Sequence, residues 1–259
     1  MATKRDGAGQ AGKQSAGGGR GFLTLLVVVF IVGAAAIAYV MLKPKPVATT
    51  MVDANAPLPK AQGYVIGRDS APVEITMYGD FECPGCGHFA TVTEPDVITR
   101  LVNTGVARLR FVDSPIASHP ATLEAHSAAA CASEQGKFWE MHDRIYLNQN
   151  EWSTLANGRD MNAPKVMKRY AKELGLDTKA FDACYDSRKS LPQIRANAGE
   201  GVALGVKGTP SFRIGSRLVW AVLTYDQLKA YVDSALMDAR KAAPPAKKGA
   251  ADTSKKKQQ

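Results

Sequence analysis

Phe22 to Leu42 is a run of 21 residues without a single charge. Wound as an α-helix it would be about 31 Å long, close to the hydrocarbon thickness of a bilayer. A buried core helix can have the same composition. Here, however, the run follows residues 1–21, a basic leader of Gly, Ala, Ser and Gln too poor in apolar surface to fold. The segment therefore reads as a transmembrane helix over 22–42. The run is longer than an ordinary signal-peptide core, which favours a retained anchor, while Ala36-Ile37-Ala38 is a small-x-small pattern that would allow cleavage. More positive charge precedes the run than follows it in Lys43 and Lys45, so the amino terminus is expected in the cytoplasm and everything after it outside. This predicts a single-pass protein of the inner membrane with its main domain on the periplasmic side.

The formal net charge of +9 at first suggests a nucleic-acid partner. Its distribution argues against one. The leader carries +3 and the tail from Arg240 to Gln259 carries +6, which leaves the rest of the chain neutral. Four cysteines, Cys83, Cys86, Cys131 and Cys184, form an even set. That parity suits an oxidising compartment beyond the membrane.

Residues 43–62 hold four prolines among small polar residues and read as an extended linker, with ordered structure expected from about Tyr64. Pro72 to Tyr78 has the alternation of a strand, and Val106 to Val112 reads as a second. A turn at Gly79-Asp80 separates the first strand from a helix expected after Cys83. From about Ser118 to Val206 the pattern is helical. Ser118 is placed to cap a helix running through Gln135, Pro164 sits in a first turn, and Asp177 caps a helix bearing Phe181 and Cys184. Phe138, Trp139, Met141 and Tyr146 fall at helical spacing and read as core. Pro210–Ile214 and Arg217–Ala221 form a hairpin around Gly215-Ser216, and Thr224-x-x-Gln227 is a capping box for a last amphipathic helix. Residues 241–259 are rich in Pro, Ala and Lys and are expected to be a solvated tail.

The chemistry concentrates at Cys83-Pro84-Gly85-Cys86, between a strand and a helix. The unpaired amides and the dipole of a helix start favour negative charge, so Cys83 is expected to ionise more readily than a free cysteine. Pro84 suits the first helical position, where no amide hydrogen is needed. Cys86, one turn in, is expected to be buried and to act as the internal partner. The motif alone also occurs as half of a zinc site, as a soft Cu(I) site with Met77 as a further ligand, or as a structural loop disulfide. Zinc wants four ligands, and beyond His88 no second closely spaced Cys/His pair completes a set. His88 by itself reads as a helix-surface residue near the site. Cys131 and Cys184 read as a structural disulfide closing a loop of about 50 residues, with two buried thiols or a second redox pair as alternatives.

Strand–CPGC–helix, followed far downstream by Gly208-Thr209-Pro210 before a hairpin and final helix, resembles the DsbA-like thiol–disulfide oxidoreductases of the thioredoxin superfamily. Residues 73–86, 119–132, 135–142 and 205–212 carry the likeness, which spans roughly residues 63–237. The resemblance implies an α/β thioredoxin fold (63–113 and 207–240) with a helical insertion domain (114–206). It also implies a cis peptide bond before Pro210, which would set the Thr209 backbone beside the cysteines to bind an extended substrate peptide. One position departs from the family: its members often carry a buried carboxylate six residues before the first cysteine, where this chain has Met77. Asp80 and Glu82 are closer in sequence but need not point at Cys86.

The reading is an oxidase that donates disulfides to exported proteins through Cys83 and Cys86 and is recycled by a membrane redox partner. It requires neither metal nor cofactor. Running the same fold as a reductase or isomerase is the alternative, and a Cu(I) carrier or non-catalytic module is the alternative of another class.

Overall fold

The computed structural model describes residues 19–42, 47, 49–53 and 61–242. The expectations for most of the leader, for the rest of the linker and for the tail beyond residue 242 lie outside these. The first unit holds α1 (Gly19–Leu42). Residues Gly21–Met41 form one helix long and apolar enough to cross a membrane, with its side chains exposed throughout. Helix starts at Gly19, so the last residues assigned to the leader join the anchor.

From Val47 onward the chain is a second unit built on a six-stranded mixed sheet. Its strands are β1 (Thr49–Met51), β2 (Tyr64–Ile66), β3 (Val73–Gly79), β4 (Ala107–Asp113), β5 (Ser211–Ile214) and β6 (Arg217–Trp220), in the order β1-β6-β5-β3-β4-β2. β3 is central, parallel to β4 and antiparallel to β5. Both faces are covered along most of its length, so Thr76 is buried although polar and only Glu74 is half-buried. Ile75 and Met77 join Leu109, Phe111, Phe212 and Ile214 in one core, and Tyr78 joins Val112, Leu204 and Leu218 in another. Met77, in the position where the family often has a carboxylate, pairs in register with Phe111 and Phe212 and is fully buried.

β1 corrects the linker reading. Thr49–Met51 pairs antiparallel with β6, because the outer edge of the hairpin offers unpaired backbone groups to any extended segment that reaches it. The hairpin turn is as expected, with Gly215 at φ +60° and Ile214 opposite Arg217.

The helix after Cys83 starts as α2 (Pro84–His88), widens into a π turn at Phe89–Thr93, continues as α3 (Glu94–Val97) and ends in a second π turn at Ile98–Val102. The helical block comprises α4 (Thr122–Ser133), α5 (Phe138–Leu147), α6 (Gln149–Trp152), α7 (Thr154–Asn157), α8 (Ala163–Glu173), α9 (Thr178–Asp186) and α10 (Leu191–Ala203), and α11 (Tyr225–Ala242) closes the unit. Ser118 does not cap α4, which begins four residues later. The Thr122 hydroxyl and the Ala121 amide are drawn instead to the buried carboxylates of Asp80 and Glu82. Asp177 caps α9 by accepting from the Lys179 and Ala180 amides at 2.9 and 3.0 Å. Thr224 and Gln227 exchange hydrogen bonds as a capping box before α11.

The helical block shares the sheet's core. Phe138, Met141 and Tyr146 are buried in the same cluster as Ile75, Phe81 and Phe111. A buried polar chain adds to this: His126 Nδ1 lies 2.6 Å from Asp113, whose other oxygen accepts from Asn197 at 2.6 Å, linking α4, β4 and α10.

Cys131 on α4 and Cys184 on α9 are joined by a disulfide, with Cα atoms 5.8 Å apart and a sequence separation of 53. Closing a loop of that length removes enough freedom from the unfolded chain to stabilise by roughly 4 kcal/mol. Replacing both cysteines by alanine should lower unfolding stability by about 2–4 kcal/mol in denaturant titration. The reactivity of Cys83 should be unchanged.

Candidate active site

The central strand ends at Gly79, and the next four residues are held before the helix can start. Asp80, fully buried, accepts four hydrogen bonds. Its Oδ1 takes the Glu82 amide and the Thr122 hydroxyl, both at 2.7 Å. Its Oδ2 takes the Ile116 amide at 2.7 Å and lies 2.9 Å from His119 Nδ1. Glu82, also buried, accepts from the Ala121 amide at 2.6 Å, the Ser153 hydroxyl at 3.1 Å and the Leu155 amide at 3.2 Å. Gln149 completes the frame, donating to the carbonyls of Phe81 and Cys83 at 2.7 and 3.2 Å. Its amide lies over Gly87, where a Cβ would come within 2.4 Å of Gln149 Oε1. Asp80 and Glu82 therefore fix the loop with their side chains.

On this frame Cys83 is the extended N-cap of α2, with φ −72° and ψ 122°, and Pro84 follows in the first turn. Cys83 is 8 % exposed and Cys86 fully buried. Both are free thiols. The Thr209–Pro210 bond is cis, and Cys83 Sγ lies 3.4 Å from the Thr209 carbonyl oxygen. Gly85 makes this approach possible: a Cβ there would meet Val222 at 3.1 Å and Pro210 at 3.2 Å. The structure thus brings Cys83, Pro84, Gly85, Cys86, Thr209 and Pro210 to one point at the end of the sheet. Cys131 and Cys184 are joined to each other in the helical block.

The two sulfurs are polarised in opposite directions. A hydrogen bond from the Cys86 thiol holds Cys83 down from the ordinary value near 9 to about 6. Burial opposes this, and Thr209 with the amides of Cys86 and Gly85 adds to it. Burial pushes Cys86 well above the ordinary range, and the neighbouring Cys83 adds to the rise. Such an arrangement gives one sulfur that ionises near neutrality and one that stays a thiol until its partner is engaged. His88 is exposed on α2, and the groups that hold the Cys83 thiolate are the amides, Thr209 and Cys86.

Sequence reasoning found the cysteines and the Thr-Pro loop but missed the frame. Gln149 and Ser153 lie in no motif, and nothing in the 119–132 stretch marks His119 or Thr122 for this role. They reach the loop from 39–71 residues away in sequence, through the packing of the helical block. In the sequence, Asp80 and Glu82 stand out only as neighbours of Cys83.

A protein-family model described as thioredoxin matches residues 60–234. Among curated proteins, the chain is 27% identical over 179 residues to a probable disulfide bond formation protein D of Bacillus anthracis, covering 66% of this chain and 77% of that one. It is 32% identical over 191 residues to a Na(+)/H(+) antiporter NhaA 3 of Salinispora tropica, covering 73% of this chain. The chain spans only 27% of that antiporter's length. Among solved structures, BdbD from Bacillus subtilis superposes with a TM-score of 0.59 at 18% identity, over 74% of this chain and all of that one. The matched span contains the whole strand–CPGC–helix unit and the Thr-Pro loop. The chain therefore belongs to the thioredoxin family, whose DsbA-like members it resembles.

Proposed function

We propose that this protein is a membrane-anchored thiol–disulfide oxidoreductase that works outside the cytoplasm and donates disulfides to exported proteins. The single observation that carries this is the opposed polarisation of two adjacent sulfurs beside a backbone carbonyl that can receive a peptide. In the oxidised enzyme a substrate thiolate attacks Cys83 Sγ. The Cys83–Cys86 bond breaks, its electron pair passes to Cys86, and a substrate–Cys83 disulfide forms. A second substrate thiolate then attacks its own sulfur in that bond. The substrate leaves oxidised, and Cys83 departs as the thiolate the site stabilises. The pair now holds two electrons, which a membrane redox partner must remove. The buried high-pKa Cys86 keeps its proton and attacks slowly, so the mixed disulfide is not cut back before the substrate resolves it.

The Thr209 backbone beside Cys83 suits an extended substrate segment by strand-like hydrogen bonding. Exposed Val222, packed against Gly85, supplies an apolar contact next to it. The apolar helix Gly21–Met41 supports the anchor, and the positive leader supports an outside placement of the domain. The lowered Cys83 thiol supports oxidation as the direction, since what stabilises reduced Cys83 makes the disulfide the stronger oxidant. Because folding lowers this thiol, the reduced form holds its full advantage above the ordinary thiol range near 9. It loses that advantage as pH falls through about 6.

Three measurements follow. Cys83→Ser should abolish thiol oxidation of a reduced protein substrate, while Cys86→Ser should accumulate reductant-sensitive mixed disulfides visible on gels. Full activity of Cys83→Ser would overturn the assignment. Alkylation of the reduced protein should rise with pH around an inflection near 6 and modify Cys83 alone, rather than inflecting near 9. Redox titration with Cys131 and Cys184 replaced should give a potential nearer to the about −120 mV of a strong oxidant than to the about −270 mV of thioredoxin. A value at the thioredoxin end would make the protein a reductase.

A further inference from the structure

Behind the redox pair, on the face of the helical run that starts at Cys83, lies a second group of donors that the exchange chemistry does not use. Glu94 is the first residue of α3, between the two π turns, and His142 and Asp143 are adjacent on α5. His142 Nδ1 lies 2.9 Å from an oxygen of Asp143 and 3.8 Å from Glu94 Oε1. One donor atom from each of the three residues falls within 4.8 Å of the others. A zinc ion bonded at about 2.0–2.1 Å would hold its ligands roughly 3.3 Å apart, so only a small shift is needed to close the set. Asp143, whose side chain is 62% exposed, is free to make it.

Two further observations point to a ligand. Glu94 is 4 % exposed, and its Oε2 has no hydrogen-bond partner among the described residues. Buried polar atoms of this kind are rare without a reason. Glu94 and Asp143 also line a cavity of about 280 Å³, together with Thr91, Tyr146 and Leu147. That cavity has room for waters to complete a coordination shell.

We propose that Glu94, His142 and Asp143 form a binding site for a divalent first-row transition cation of the Zn²⁺ class, open on the cavity side. The donor set decides the class. One imidazole with two carboxylates suits Zn²⁺ and its neighbours, whereas Ca²⁺ and Mg²⁺ take oxygen alone and Cu(I) takes sulfur. The site ties the helix that carries Cys83 to α5 and is independent of the exchange reaction.

The test is isothermal titration of the detergent-solubilised full chain, with Cys83–Cys86 oxidised so that its thiols cannot bind metal. ZnCl₂ is the first titrant and CaCl₂ the second. One equivalent of Zn²⁺ should bind, with no comparable Ca²⁺ binding, and zinc-edge X-ray absorption should show a single imidazole ligand. Glu94→Gln and Asp143→Asn should each weaken zinc binding about tenfold or more. Asp143 lies largely in solvent, so its variant decides the matter if Glu94→Gln does not fold. Absence of Zn²⁺ binding, undiminished binding in Asp143→Asn, or a preference for Ca²⁺ would overturn the proposal.

Discussion

The Cys83–Cys86 loop depends on one buried carboxylate. Asp80 sits where the central strand ends and receives four hydrogen bonds from the loop, from the segment before α4 and from α4 itself. A carboxylate taken out of water is costly unless its oxygens are satisfied, and here both are. The same bonds that make its burial tolerable fix the direction in which residues 81–83 leave the sheet. Glu82 repeats the device towards α7, and Gln149 clamps the Phe81 and Cys83 carbonyls. The helical block is therefore part of the site's scaffold.

With the loop held, the difference between the sulfurs follows from position alone. Cys83 lies at the start of a helix, where amides and the Cys86 thiol can donate to its anion. Cys86 lies one turn later, fully buried, where charge is penalised. Three residues of sequence separation thus become opposite protonation preferences. The family's common carboxylate below the pair is replaced by Met77, packed between Phe111 and Phe212. Among the buried acids of this chain, Asp80 and Glu82 instead brace the loop and Glu94 faces the cavity.

The sequence is legible where the physics is local. The hairpin at Gly215-Ser216, the caps at Asp177 and Thr224, and Pro84 in the first turn each depend on a few neighbouring residues. The errors fell where distant groups decide. Ser118 looks like a cap until Asp80 and Glu82 claim Thr122 and Ala121, and the Thr49–Met51 strand exists only because β6 offers it an edge. Nothing in 43–62 encodes that partner.

By itself, the sequence determined that a charge-free helix long enough for a bilayer precedes a neutral domain. It also determined that the domain carries a strand–CPGC–helix unit with a Thr-Pro loop to match. Those features are runs and short spacings, and runs and spacings are what a one-dimensional string records. Only the tertiary structure decided which groups satisfy Asp80 and Glu82, and that Gln149 braces the Cys83–Cys86 loop. Only it brought Glu94 to His142 and Asp143 across 48 residues. Hydrogen bonding and burial act through space, and the residues that meet there carry no mark of it in the chain.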